Sequence, residues 1–404
     1  MRSRLLICIW GVLALLLAAC ATGDTSGPPP RADETQANPT STPPPYYEPA
    51  SPITAENANQ VQYLGRLDTP TSEKSSIFSH SFSPDGTRLA ALDNNLIVVW
   101  DLISGQVVFS GDRNNAIRVF YAPDKTEVYT INDEGEIRVY DEQGAVQNTL
   151  EGLIDFDGGY AFDGRSGLLA MGGEGGSVRV WNPAERTALA TFKANDAPIV
   201  ALQFSQDGGL LASMGRDGHV TIWDWESREQ IADLDHEAAI VFDAIFDRDA
   251  SHITTATEGY IAVWTIETGE LDYALELQQD GASGIFAYTP DDSKLVTAGQ
   301  NAPLNVWDAE TGNLVGQLAD VSGNRMSAAF SADGDLMLTS VLEKSVNLWN
   351  LANASDETIP GAEISVPTNR ITDAAWTEDG FVMAFFAADG TVYLWGIADT
   401  EQSE

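Results

Sequence analysis

An aromatic residue at the end of a β-branched run recurs eight times along this chain, and no other feature constrains its fold as strongly. The runs are LIVVWD, EIRVYD, SVRVWN, HVTIWD, YIAVWT, PLNVWD, SVNLWN and TVYLWG, anchored at Trp100, Tyr140, Trp181, Trp223, Trp264, Trp307, Trp349 and Trp395. Successive anchors lie 40, 41, 42, 41, 43, 42 and 46 residues apart. A second aromatic keeps the same phase: Phe82, Tyr121, Phe162, Phe204, Phe246, Tyr288, Phe330 and Trp376 each stand 18 or 19 residues upstream of their anchor. Turns such as FSPDG, FSQDG and FSADG follow, with Asp and Gly supplying the turn geometry. Between the two aromatics lies a short apolar run, for example RLAAL or LLASM, and after each anchor comes a further strand such as QVVFSG. Each repeat therefore encodes four short strands. A lone sheet of this kind leaves two apolar faces in water, and a period of this length is what circular stacking of such sheets produces.

The expected fold is all-β: a propeller of eight blades from about Ile53 to Ile397, seven being the commoner number. The third-strand endings Trp100-Asp101, Trp223-Asp224 and Trp307-Asp308, with the FSPDG turn at 82–86, resemble the WD40 repeat family. That resemblance implies that the lone early strand in VQYLGRL completes the last blade, which ends at TVYLWG, and so removes free sheet edges. It also implies hydrogen bonds joining a Gly-His step, an Asp before the third strand and the Trp. Six residues before the anchors, Asp occurs only at Asp217 and Asp389, and only Asp235-His236 resembles the Gly-His step. The sequence thus predicts that this network is mostly missing and that packing between blades carries the stability.

Ahead of the repeats, Arg2 and Arg4 precede an apolar stretch from Leu5 to Leu17 and then Leu17-Ala18-Ala19-Cys20. This has the layout of an export signal, and the cysteine after two alanines resembles the lipobox of bacterial lipoproteins. It predicts a signal peptide over residues 1–19, lipid on Cys20, and a Pro-, Ser- and Thr-rich tether over 20–52. With triple prolines at 28–30 and 43–45, such a spacer extends roughly 3 Å per residue. Residues 398–404 form an acidic tail.

Charge and chemistry narrow the function. Lys and Arg number 21 against 60 Asp and Glu, a net charge of -39, which repels nucleic-acid phosphates and favours basic partners. The two cysteines, Cys8 and Cys20, both precede the repeats, so thiol chemistry and cysteine-held zinc are not expected in the folded body. His80, His219, His236 and His252 show no metal-ligand spacing. MGGEGGSV at 171–178 sits between two strands and reads as a turn, not a phosphate loop. IDFDGGYAFDG, with Asp155, Asp157 and Asp163, lacks a calcium-loop pattern. No cofactor, metal or catalytic group is expected.

In a propeller, the loops from each fourth strand to the next first strand gather on one face with the turns from second to third strand, and the resemblance implies that partners bind there. The candidates are Arg113, Asp155, Asp157, Asp196, Arg216, Asp217, Asp235, Glu237, Arg325 and Arg370. The arginines are the more informative, since Arg is enriched at interface hot spots. The expectation is a monomeric, non-catalytic, lipid-anchored scaffold for a protein or peptide partner, outside the cytoplasm of a bacterium. The alternative is a propeller that binds a small ligand, or catalyses as quinoproteins do, in its central channel.

Overall fold

Burial along each repeat grades from its second strand outward. Arg88–Leu92 and Leu96–Asp101 are buried at nearly every position, whereas the following Val107–Asp112 is exposed or half-exposed throughout. Inner strands are covered on both faces, so they read as continuous apolar runs, and the outermost strand meets water. The computed structural model describes residues 49–398, apart from 71–74, 125–126, 153–155, 238, 258, 277–284, 290, 299–303, 319–324, 332–333, 342–345, 352–360 and 369. These lie in one unit, Tyr46–Glu404, of the two into which the chain divides. No helix among the described residues is long and apolar enough to cross a membrane.

Seven sheets are four-stranded antiparallel meanders, each built from one repeat in sequence order, and an eighth is closed by the early strands. The eight-bladed ring is thus as the periodicity predicts. The period has a physical cause. At seven interfaces the anchor and the second aromatic of one blade pack on the preceding blade: Phe204 and Trp223 meet Ala161, Val178 and Val180 of blade 3. Phe82 and Trp100 likewise meet Ala384, Phe386 and Leu394 of blade 8, and five further interfaces repeat the arrangement. A pair of wedges per blade, facing the same way, fixes the rotation from each blade to the next.

The early strand closes the ring as expected. Gln62–Leu67 pairs antiparallel with Val392–Ala398, Tyr63 opposite Trp395 and Leu67 opposite Val392. Leu64 and Leu67, fully buried, join the core cluster that contains Trp100, so this strand fastens blade 8 to blade 1. The sheet also begins earlier than Ile53: Pro49–Ser51 pairs with the end of the same strand, Pro49 opposite Ala398. Between them, Ala58–Gln60 forms a 3-10 turn, and Ile53, Ala55, Ala58 and Val61 cover the cluster between blades 7 and 8.

The hydrogen-bond network is fuller than the missing aspartates suggested. Trp223, Trp264, Trp307 and Trp349 donate their indole N–H to the hydroxyls of Ser213, Thr255, Thr297 and Thr339 at 3.1, 3.0, 2.8 and 2.9 Å. In blade 5 the chain continues, because Thr255 meets His236 Nε2 at 2.8 Å and His236 Nδ1 faces the carbonyls of Gly218 and Leu234. In blade 4, Asn195 takes the histidine's place and accepts the Ser213 hydroxyl at 2.6 Å. The network therefore runs without the Asp. Where the hydroxyl position holds Met171 or Phe385, the indoles of Trp181 and Trp395 have no hydrogen-bond partner.

Candidate functional site

The face expected to bind partners is assembled as anticipated. Among the described residues, backbone bonds tie several connecting loops to neighbouring second-to-third-strand turns: Arg113 N–H to Asn95 O, Ala194 and Asn195 N–H to Gly176 O, Arg216 N–H to Pro198 O, and Ala388 N–H to Arg370 O. The glycine-rich 171–178 segment is such a turn, with Gly176 at φ +74. The candidate residues are distributed around the ring and not gathered into one cluster. Arg113 donates to Ala116 O at 3.2 Å, and its guanidinium lies 5.4 Å from the ring of the exposed Phe78. It borders a cleft of about 410 Å³ with Asn94, Asn95, Asp112, Asn114 and Asn115. Asp196 faces Lys193 at 3.7 Å.

Asp217 accepts the His219 N–H at 3.3 Å, and Asp235 accepts that of Glu237 at 2.8 Å. His219 is held above its usual pKa first by its 3.0 Å bond to Asp233, with Asp217 and Asp235 adding to the effect. Arg216, Glu237 and Arg370 are exposed. Three candidates sit on strands and not in loops: Asp157 in Phe156–Phe162, Asp235 at the end of Glu229–Asp235, and Arg325 at the start of Arg325–Phe330. Tight connections let the strands run on past the loop boundaries that spacing alone suggests. Asp155 and Cys20, and the side chains of Asp157 and Arg325, lie outside the described residues. Asp163 is a turn former, accepting the N–H groups of Arg165 and Ser166 and the Ser166 hydroxyl.

The larger concavity is at the opposite end, which the sequence reading did not single out. There, in four blades among the described residues, the first strand turns into the second through a repeated device. Ser83, Ser205, Thr289 and Thr377 donate their hydroxyls to Asp85, Asp207, Asp291 and Asp379 two residues on, at 2.6–2.7 Å. The same oxygens accept the N–H that opens the second strand, as from Arg88 to Ser83 at 2.9 Å. The hydroxyl bonds hold Asp207 and Asp291 below the usual carboxylate pKa. Gly208 turns here at φ +74, and a Cβ on it would lie 2.8 Å from the Asp163 carboxylate of the preceding blade. These turns leave a cavity of about 630 Å³, walled by Phe246, Tyr288, Phe330 and Trp376, with Ile245 and Ala287 beneath. Arg165, Gln206, Arg248, Asp292 and Glu378 stand around its mouth. The signal for it was present in the sequence: the in-phase aromatics followed within three residues by Arg165 and Arg248.

Beside this mouth, Ser251 Oγ and Asp247 Oδ2 both lie 2.8 Å from His252 Nδ1. A nucleophile relay needs the hydroxyl and a carboxylate hydrogen-bonded to opposite ring nitrogens; Asp272 faces Nε2 at 3.6 Å, beyond hydrogen-bond distance, so Ser251, Asp247 and His252 act as a turn clamp. Among the described residues no group of three or more His, Cys, Asp or Glu is placed to hold a metal ion. One carboxylate stands apart. Asp243, on the first strand of blade 5, is pushed up to about 6 by desolvation, against a single 2.9 Å bond from the Ala244 N–H.

Residues 64–101 and 186–224 match the family described as WD domain, G-beta repeat. The chain is similar to a periodic tryptophan protein 2 homolog of Neurospora crassa, 23% identical over 111 residues, 27% of this chain and 12% of that protein. It is 28% identical over 116 residues to WD repeat and SOCS box-containing protein 1 of Takifugu rubripes, covering 28% of this chain and 26% of that one. Similarity to apoptotic protease-activating factor 1 of Rattus norvegicus is 21% over 379 residues, 83% of this chain and 30% of that protein. The chain thus spans less than a third of the length of each of these relatives. Among solved structures, the computationally designed Ika8 protein superposes with a TM-score of 0.66 at 19% identity, covering 82% of this chain and 99% of that one. The C-terminal WD40 domain of Sif2 gives 0.67 at 16% identity, covering 84% and 99%. Both likenesses show the fold.

Proposed function

We propose that this eight-bladed WD40-type propeller is a non-catalytic platform for protein partners, held by lipid on Cys20 at the extracytoplasmic face of a bacterial membrane. The observation that carries the platform reading is the closed, wedge-packed ring, whose two ends are paved with turns pinned by their own hydrogen bonds. Such a body presents side chains in fixed positions at little entropic cost, which is what a recognition surface needs. One of the relatives, WD repeat and SOCS box-containing protein 1, is named for its WD repeats. The anchor rests on the n-region, apolar stretch and Leu-Ala-Ala-Cys sequence, and the Pro-rich segment after it would hold the ring clear of the bilayer. The excess of carboxylates favours partners with basic surfaces.

Crosslinking in intact source cells, followed by mass spectrometric identification of neighbours, tests this reading. A small set of protein neighbours, lost with Cys20→Ser as the protein leaves the membrane fraction, is the expected result. Absence of protein neighbours in the membrane-bound form overturns the platform, and unchanged membrane retention of Cys20→Ser overturns the anchor.

A further inference from the structure

The cavity between the first-to-second-strand turns carries charges of opposite sign on adjoining arcs of its lining. Arg165 and Arg248 come from blades 3 and 5, Asp292 and Glu378 from blades 6 and 8, and aromatic edges line the wall between them. Arg165 donates to Gln206 O at 3.0 Å. Among the described residues neither arginine forms an ion pair, in a chain where acids outnumber bases almost three to one. On the other arc, Asp292 Oδ2 accepts the Arg248 backbone N–H at 2.9 Å. Desolvation raises its pKa, with Asp247 and Asp249 adding to that, while the bond from the Arg248 N–H and the Arg248 charge offset part of the rise, so a further cation arriving there would relieve what remains of an unfavourable charge.

We propose that this mouth docks a partner polypeptide segment in which an apolar side chain is flanked by an acidic residue on one side and a basic residue on the other. The apolar side chain enters between Phe330 and Trp376, the acidic residue faces Arg165 and Arg248, and the basic residue faces Asp292 and Glu378. A wholly acidic segment meets Asp292, Glu378 and the net charge of -39. A wholly basic one meets Arg165 and Arg248. Only the mixed pattern satisfies both arcs, and the apolar wall supplies contact that a free ion would not use. The inference rests on the platform reading and assigns that platform a second working face, opposite the loops that carry Arg113 and Arg370.

The test uses the purified full chain and short labelled synthetic peptides of equal apolar content, charged as acidic-apolar-basic, all acidic or all basic, at about 0.15 M salt. The mixed peptide is expected to bind most tightly by fluorescence anisotropy. Arg165→Glu with Arg248→Glu should weaken the mixed peptide roughly five- to tenfold and strengthen the all-basic one, a gain that misfolding cannot produce. Equal binding of the three peptides, no binding of any, or a preference unchanged in the double variant overturns the proposal. Neighbours crosslinked only to the Arg113 and Arg370 loops would overturn this site and leave the platform standing. A peptide preference that persists when cells yield no protein neighbours would do the reverse.

Discussion

Thr255 shows how one hydroxyl serves two side chains: it accepts the N–H of the half-buried Trp264 indole and meets Nε2 of the buried His236. Thr255→Val keeps the shape and strands both groups, which at the cost of unpaired buried polar atoms should lower stability by about 2–3 kcal/mol in urea titrations. A loss below about 0.5 kcal/mol would mean the relay is idle. Asp243 behaves oppositely. Its folded pKa of about 6 lies above the ordinary carboxylate value of 3.8, so the folded state holds the proton more tightly and stability falls as pH rises from 4 to 6. Asp243→Asn should therefore stabilise the protein at pH 7.5, by roughly 3 kcal/mol at most, and by about half as much at pH 5. Equal gains at the two pH values would exclude desolvation as the cause. The wedge role of the aromatics was legible because packing repeats at the blade period. The hydroxyl partners were not, because they lie within the second strands and not at the turn where the resemblance places its Asp. Ser213, Thr255, Thr297 and Thr339, spaced 42 residues apart, were the signal in view.

Elements inherit their limits from such residues. The Ser/Thr-x-Asp device encodes the first turn of a blade within a few residues, so those turns could be read from the sequence. The Pro49–Ser51 strand could not, because a proline-bearing segment of low apolar content pairs only where another strand leaves an edge open. The cavity was missed for a related reason: no single repeat contains it, and only the ring brings Arg248 and Glu378 to one mouth. The closing strand Gln62–Leu67 gives the clearest prediction at this scale. Deleting residues 49–67 removes the buried Leu64 and Leu67 and bares the edge of Val392–Ala398. The truncated chain should aggregate or melt well below the full one, and the peptide 49–67 added in trans should restore part of the loss. A truncated ring with unchanged melting would show that wedge packing alone closes the circle.

For the whole molecule, the charge of -39 sets the background against which every contact acts. Mutual repulsion of carboxylates weakens the compact state, and salt screens it over about 10 Å at 0.1 M. The melting temperature should therefore rise by a few degrees between about 0.01 and 0.5 M sodium chloride. A fall would indicate that local ion pairs such as Arg138–Glu136 outweigh the general repulsion. The ring itself is indifferent to where its numbering starts. Because Pro49 sits opposite Ala398 on the paired strand, a short peptide could join these two points and the chain could be opened between any two blades. Such a circular permutant would contain the same eight sheets in the same cyclic order. The linear order of the repeats is one of eight equivalent readings of a closed loop, and the seam at blade 8 is one interface among eight.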